Sequence, residues 1–433
     1  MISQLLSILV LPWTFLVLLS CKEPEIPQVD LPCIWYCDTI APTEIIWKTP
    51  IVDEPNEESS SMYPKISDSV VIFSNRLYRG QPEIYKGFSR YNGRQIWEWP
   101  FPHLDGGDRY VSTRRRNKYI IENQLILSIA TYYYNVDTRN GQVNAGTRIL
   151  DYAHIPRINV FGHKIYFTTI LWQPERGSTM LRTMDLDMSR QDSIVQYRRS
   201  NEGEWDPNIG LEPPVFWERP DGDTVAIYVM RGSNGPNQSW YEFHALNLSQ
   251  KTDTGYQELW MQDSFPHDDN CNVVAEPIIY RDSLLLVPGQ GAVYGIGLKT
   301  GDLIYSTPIP EDLLTTDFIV VDDRLVFVDN PGDLHILDAW TGEILTIIPD
   351  YGGNVSNMEV HDSIVYFTSA GDGKLYAVDL LREEIVWEWS SPHIDEQSFA
   401  QFTWSGVAID PENGWLYASD KVYAMCVELY ERE

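Results

Sequence analysis

A polar turn followed by a short apolar strand recurs eight times along this chain. A repeat of that size constrains the fold more than any other feature of the sequence. The copies begin at Asp68-Ser69, Asn123-Gln124, Gly162-His163, Asp223-Thr224, Asp282-Ser283, Asp323-Arg324, Asp362-Ser363 and Asn413-Gly414. Each leads into a run such as Val70-Val71-Ile72-Phe73 or Leu325-Val326-Phe327-Val328, read as a strand of alternating type. A second element follows most copies: a strand, a tight turn and a strand rich in β-branched or aromatic residues, as in Leu334–Leu345 and Val293–Ile304. The turn positions Gly301, Gly342 and Glu383 are each 41 residues apart. Glu383 stands where the others have glycine, so its turn is expected to differ in type. No stretch after residue 40 sustains a helical period over three turns. Short strands separated by turns, repeating at this spacing, predict an all-β chain: an eight-bladed β-propeller of four-stranded antiparallel blades.

The two ends of the repeat region fit together. Glu44-Ile45-Ile46-Trp47-Lys48 matches the outer-strand segments Gln95-Ile96-Trp97-Glu98 and Glu384-Ile385-Val386-Trp387-Glu388, and it precedes the first full blade. The final copy, near Trp415 to Glu428, lacks an outer strand of its own. An N-terminal outer strand is therefore expected to close the ring and remove an edge that would invite aggregation. Blades three and four are longer than the rest, and insertions such as Arg231–Gln238 are candidate binding loops.

Ahead of the propeller, Leu5 to Leu19 form an apolar run of signal-peptide length, interrupted by Pro12. The run ends in Leu18-Leu19-Ser20-Cys21, which resembles the bacterial lipobox. The expected organisation is a lipoprotein signal peptide at 1–20, a Pro-rich tether at 21–43 carrying a lipidated Cys21, and a propeller at 44–433. Met1 to Gln4 hold no Lys or Arg, a departure from the usual leader that leaves an uncleaved anchor as the alternative. No Asp follows Cys21, which points to the outer membrane, facing either the periplasm or the cell surface. Cys33, Cys37, Cys271 and Cys426 remain, allowing three pairings, and export permits a Cys33–Cys37 bridge.

Lys and Arg number 32 against 62 Asp and Glu, a net charge of −30. That balance argues against nucleic acid, whose phosphates reward clustered cations. With 15 Trp and 25 Tyr the chain holds ample apolar surface for a packed core, which excludes disorder.

Lys299-Thr300-Gly301-Asp302, Leu337-Asp338-Ala339-Trp340-Thr341-Gly342-Glu343 and the outer-strand residues Trp47, Trp97, Trp260 and Trp387 resemble the PQQ-like (quinoprotein-type) propeller repeat. Together with a lipid anchor, the repeat resembles the BamB family of outer-membrane assembly lipoproteins. The resemblance implies a monomeric, non-enzymatic protein-binding scaffold in the bacterial cell envelope, with the β-barrel assembly machinery as partner. A surface propeller that binds or processes glycans is the alternative, and a PQQ-dependent dehydrogenase is a further one. Quinoprotein dehydrogenases carry an adjacent Cys-Cys pair and a Ca²⁺ ion, and this chain has no Cys-Cys pair and no Cys-x-x-Cys-His. No cofactor is expected; PQQ and Ca²⁺ stay open only with the dehydrogenase alternative. Hydrolase and P-loop motifs are absent too, although a hydrolase assembled from several blades needs no motif.

One set of residues carries metal-ligand chemistry. Pro102-His103-Leu104-Asp105, Pro266-His267-Asp268-Asp269 and Pro392-His393-Ile394-Asp395 each follow an outer strand. His103, Asp105, His267, Asp269, His393 and Asp395 are candidate metal ligands, set against a structural reading in which the Asp holds the His ring and ties neighbouring blades. Trp172, Trp217 and Trp240 fall in the irregular blades. Burial is the expectation for them, with stacking on a sugar ring the alternative.

Overall fold

The computed structural model describes residues 42, 44–52, 63–76, 83–100, 118–129, 132–149, 158–171, 178–198, 213–233, 239–253, 255–263, 276–289, 291–309, 318–329, 331–349, 351, 353, 355–393 and 400–432. Its strands form eight four-stranded antiparallel sheets. Seven are consecutive in sequence: blade 1 at 65–100, blade 2 at 118–148, blade 3 at 158–198, blade 4 at 215–262, blade 5 at 278–308, blade 6 at 319–348 and blade 7 at 359–390. Blade 8 combines Phe402–Asp410, Trp415–Asp420 and Tyr423–Glu428 with Ile45–Pro50 as its outer strand. The closing pair runs antiparallel, with Trp47 opposite Cys426 and Pro50 opposite Tyr423. Eight blades and an N-terminal closing strand are as the repeat predicts.

The inner hairpins show why polar residues begin each copy. Val321 pairs with Arg324 and His361 with Ile364, so each turn is two residues long. Both turn residues have positive φ: Asp322 and Asp323 at 48° and 65°, Asp362 and Ser363 at 48° and 60°. That geometry matches the twist of the flanking strands, and Asp tolerates the left-handed region better than a β-branched residue does.

The second and third strands are not half-buried ribbons. Leu284–Gly289, second in blade 5, and Lys374–Asp379, third in blade 7, are buried at every residue. Each blade is covered on both faces by its neighbours, so the expected alternation gives way to continuous burial. The core therefore lies between blades: one cluster joins Tyr280 and Leu286 of blade 5, Val326 and Ile336 of blade 6, and Val365 and Tyr376 of blade 7.

A recurring contact joins the blades. Trp97 of blade 1 donates its indole N–H to Thr138 O of blade 2 at 2.6 Å, and Trp260 of blade 4 donates to Leu298 O of blade 5 at 2.9 Å. Trp47 reaches Arg90 O of blade 1 at 2.9 Å, and the Tyr305 hydroxyl reaches Ala339 O of blade 6 at 3.1 Å. Each ring lies against a glycine of the next blade's outer turn: Gly93, Gly141, Gly301 or Gly342. All four glycines have φ between 66° and 78°. Trp47 thus closes the ring a second time, through a side chain.

The turn at Glu383 corrects the expectation from sequence. Glu383 has φ 56°. Asp379 Oδ1 accepts the amides of Leu381 and Arg382, as Asp338 Oδ1 accepts those of Trp340 and Thr341. The turn keeps its type because the residue facing it has changed. Thr346 of blade 6 occupies the place of Tyr305 and donates its hydroxyl to Glu383 Oε2 at 2.7 Å. The seam between blades 2 and 3 departs further: Ala145 stands in place of the aromatic ring, and the facing turn closes one residue earlier, through Met188 N–H to Asp185 O at 2.8 Å, with Met188 at φ 61°.

Candidate functional site: the loop-bearing face

Antiparallel order divides the propeller into two ends. The first-to-second and third-to-outer turns lie at one end and are short. The second-to-third connections and the crossovers to the next blade lie at the other. The long hairpin of blade 4, Thr224–Ser233 with Ser239–Thr252, projects toward this second end. Loops on a rigid scaffold are where propellers place function.

The best-defined polar cluster at that end lies where blades 7 and 8 meet. His393 is buried, with 1% of its surface exposed, and its ring stacks on Tyr423 with centroids 4.0 Å apart. Its Nδ1 lies 3.3 Å from Asp420 Oδ2, and its Nε2 lies 2.8 Å from Lys48 Nζ. Ser391 donates its hydroxyl to the same Asp420 oxygen at 2.7 Å. Asp420 Oδ1 accepts the amides of Val422 and Tyr423 at 2.7 and 2.6 Å. Serine, histidine and aspartate are therefore adjacent but not in relay order. A nucleophile needs the imidazole between the hydroxyl and the carboxylate; here the hydroxyl spends its proton on the carboxylate and lysine occupies the far ring nitrogen. The cluster ties the crossover, the blade 8 turn and the closing strand together.

Blade 6 repeats the device. Asp329 Oδ1 accepts the amides of Gly332 and Asp333 at 3.0 and 2.8 Å, while Oδ2 pairs with His335 Nε2 at 2.8 Å. In blade 7, Asp372 pairs with the Tyr376 hydroxyl and Lys374 with Glu388. Burial pushes the Asp372 carboxyl up, against the opposing pull of hydrogen bonds from Tyr376 and Ser369. Burial also raises the Tyr376 hydroxyl, and Asp372 adds to the rise. In blade 4, His244 sits between Glu258, 2.9 Å from Nδ1, and Glu242, 3.3 Å from Nε2. The two carboxylates meet opposite nitrogens and so do not converge on one point.

Of the six candidate metal ligands, His393 is placed, and its carboxylate partner is Asp420. His103, Asp105, His267, Asp269 and Asp395 lie outside the described residues, as do Cys21, Cys33 and Cys37. Trp217 is buried, at 3% exposure. Nothing is described of the Trp172 and Trp240 side chains. Among the described residues no group of three or more His, Cys, Asp or Glu side chains is placed to hold a metal ion. Cys426 is a free, buried thiol. Asp420, Asp329 and Lys48 escape the sequence reading. The two aspartates share a local signal, an Asp that ends a strand just before a tight turn. Lys48 has none, because it meets His393 only on ring closure.

No protein-family model matches the chain, and no curated protein matches it. Solved structures do resemble it. BamB from Moraxella catarrhalis is 15% identical with a TM-score of 0.53, and the match covers 90% of this chain and 99% of that one. A europium-containing methanol dehydrogenase is 11% identical with a TM-score of 0.62, covering 88% and 85%. The quinohemoprotein alcohol dehydrogenase from Comamonas testosteroni is 10% identical with a TM-score of 0.62, covering 90% and 77%. At these identities the likeness is one of fold: this chain is a PQQ-like β-propeller in architecture, shared by a BamB structure and by two dehydrogenases.

Proposed function

We propose that this chain is a non-enzymatic protein-binding propeller of the bacterial cell envelope, held at the outer membrane through a lipidated Cys21 and serving outer-membrane protein assembly. The observation that carries the proposal is the lipobox-like Leu18–Cys21 ahead of an eight-bladed propeller. The BamB structure, matched over 99% of its length, has that same propeller fold.

The test is an affinity purification from detergent-solubilised outer membranes, using a C-terminal tag and mass spectrometry. The barrel-assembly machinery is expected to co-purify with the wild-type chain. A Cys21→Ser variant is expected to lose incorporation of radiolabelled palmitate and to leave the membrane fraction. Recovery of glycan-uptake proteins, or of no envelope partner, overturns the assembly role and turns attention to glycans.

A further inference from the structure

The rim of the propeller consists of eight outer strands, each paired on one side only in the sheet order. Such edges template pairing with other chains, and proteins blunt them with charges and bulges. Seven outer strands after the closing one can be compared directly with it. Ile45–Pro50 carries Lys48, Gln95–Pro100 carries Glu98, Val143–Arg148 carries Arg148, Gln191–Arg198 carries Asp192, Gly255–Gln262 carries Glu258 and Glu384–Ser390 carries Glu388. Blades 5 and 6 keep the bulge, which in blade 6 falls at Leu345, but depart from the charge pattern. Leu303–Pro308 and Ile344–Ile348 hold no charged residue, and the latter reads Ile-Leu-Thr-Ile-Ile.

Their apolar side chains face solvent. Ile304 is 56% exposed, Leu345 47% and Ile347 44%, with Ile344, Trp340 and Leu381 also exposed nearby. These make six of the twelve exposed large apolar side chains among the described residues, gathered on adjacent blades. The turn end of this edge is acidic. Asp302, Glu343, Glu383 and Glu384 are exposed there, against Lys299 and Arg382.

We infer that the outer edge of blade 6 is a docking site for an extended segment of a partner protein, apolar at alternate positions and flanked by Lys or Arg. The inference rests on the protein-binding reading above and names the surface and the chemistry of its partner. An open strand edge hydrogen-bonds only to an extended chain. The side chains of Ile344, Leu345 and Ile347 select apolar residues on that chain, and the carboxylates of the turn end, of which Glu384 already pairs with Arg382 at 3.5 Å and Glu383 accepts the Thr346 hydroxyl, select a basic flank.

The probe is the peptide Lys-Lys-Val-Thr-Ile-Thr-Val-Lys-Lys, titrated by fluorescence anisotropy and followed by hydrogen–deuterium exchange. It is expected to protect the amides of residues 344–348. A Leu345→Lys/Ile347→Lys variant with wild-type thermal unfolding should bind at least about tenfold more weakly, because charge on an edge opposes pairing. The same peptide N-methylated at alternate residues should not protect those amides in the wild-type protein, a control that needs no variant. Protection elsewhere, no protection, or equal affinity for the double variant overturns the inference. So does sedimentation showing that the edge instead pairs two copies of this chain. If the wild-type chain and the double variant recover the assembly machinery equally, the docking edge fails while the scaffold reading stands.

Discussion

Replacing Gly301 by alanine tests the seam that recurs around the ring. A methyl group built at Gly301 would lie 2.8 Å from Trp260 Cε3, and the backbone there has φ 78°. Placing a non-glycine residue in the left-handed region costs about 1–2 kcal/mol. Overpacking a closed contact costs about 1–3 kcal/mol. The stiffer unfolded chain returns about 0.4–1 kcal/mol. Gly301→Ala should therefore destabilise by about 1–5 kcal/mol, centred near ~3 kcal/mol, which is large beside the ~5–15 kcal/mol of a typical domain. The assay is urea denaturation of four proteins: wild type, Gly301→Ala, Trp260→Ala and the double variant. Once Trp260 is truncated the methyl group has room, so Gly301→Ala should then cost only about 1 kcal/mol. Equal costs in both backgrounds would refute the reasoning, because the penalty would then be backbone strain alone. The seam between blades 6 and 7 supplies the converse test. Thr346→Trp should destabilise when Glu383 faces it and should be tolerated better alongside Glu383→Gly.

Further consequences can be measured on the same protein. Asp420→Ala strands two backbone amides together with Ser391 and His393, so it should cost about 3 kcal/mol or more in denaturant unfolding; a loss below about 1 kcal/mol contradicts the clasp. Burial raises the Asp379 carboxyl, but hydrogen bonds from Arg432 and from the amides of Leu381 and Arg382 outweigh it and hold the group below its usual range. Its contribution is therefore present above the ordinary carboxylate pKa and is lost as pH falls through the lower folded value, so Asp379→Asn should flatten the stability profile below about pH 4; an unchanged profile counts against this. Burial pushes the Cys426 thiol up to about 12, so iodoacetamide at pH 8 should label it in urea and not in the native protein.

The glycine turns and the aromatic rings that dock on them were both visible as repeat positions, yet their pairing was not. Glu383 looked like a broken turn when read against Gly301 and Gly342. It is an intact turn whose neighbour in the preceding blade is Thr346. Continuous burial of Leu284–Gly289 was equally hidden, because alternation is judged within one blade and the covering faces belong to two others. For the candidate site, His393 was singled out by its recurring neighbours, but the carboxylate beside it proved to be Asp420. Lys48 lies 345 residues from His393 along the chain and meets it only because the ring closes.

The amino-acid sequence alone was enough for the blade repeat, the antiparallel hairpins and the closing strand. Those depend on local turn chemistry and on a repeat that each blade carries within itself. What faces what across a seam was decided by the tertiary structure. Blades bury their surfaces against neighbours, so whether a turn bears glycine or glutamate follows from the ring or small side chain that the adjacent blade presents to it.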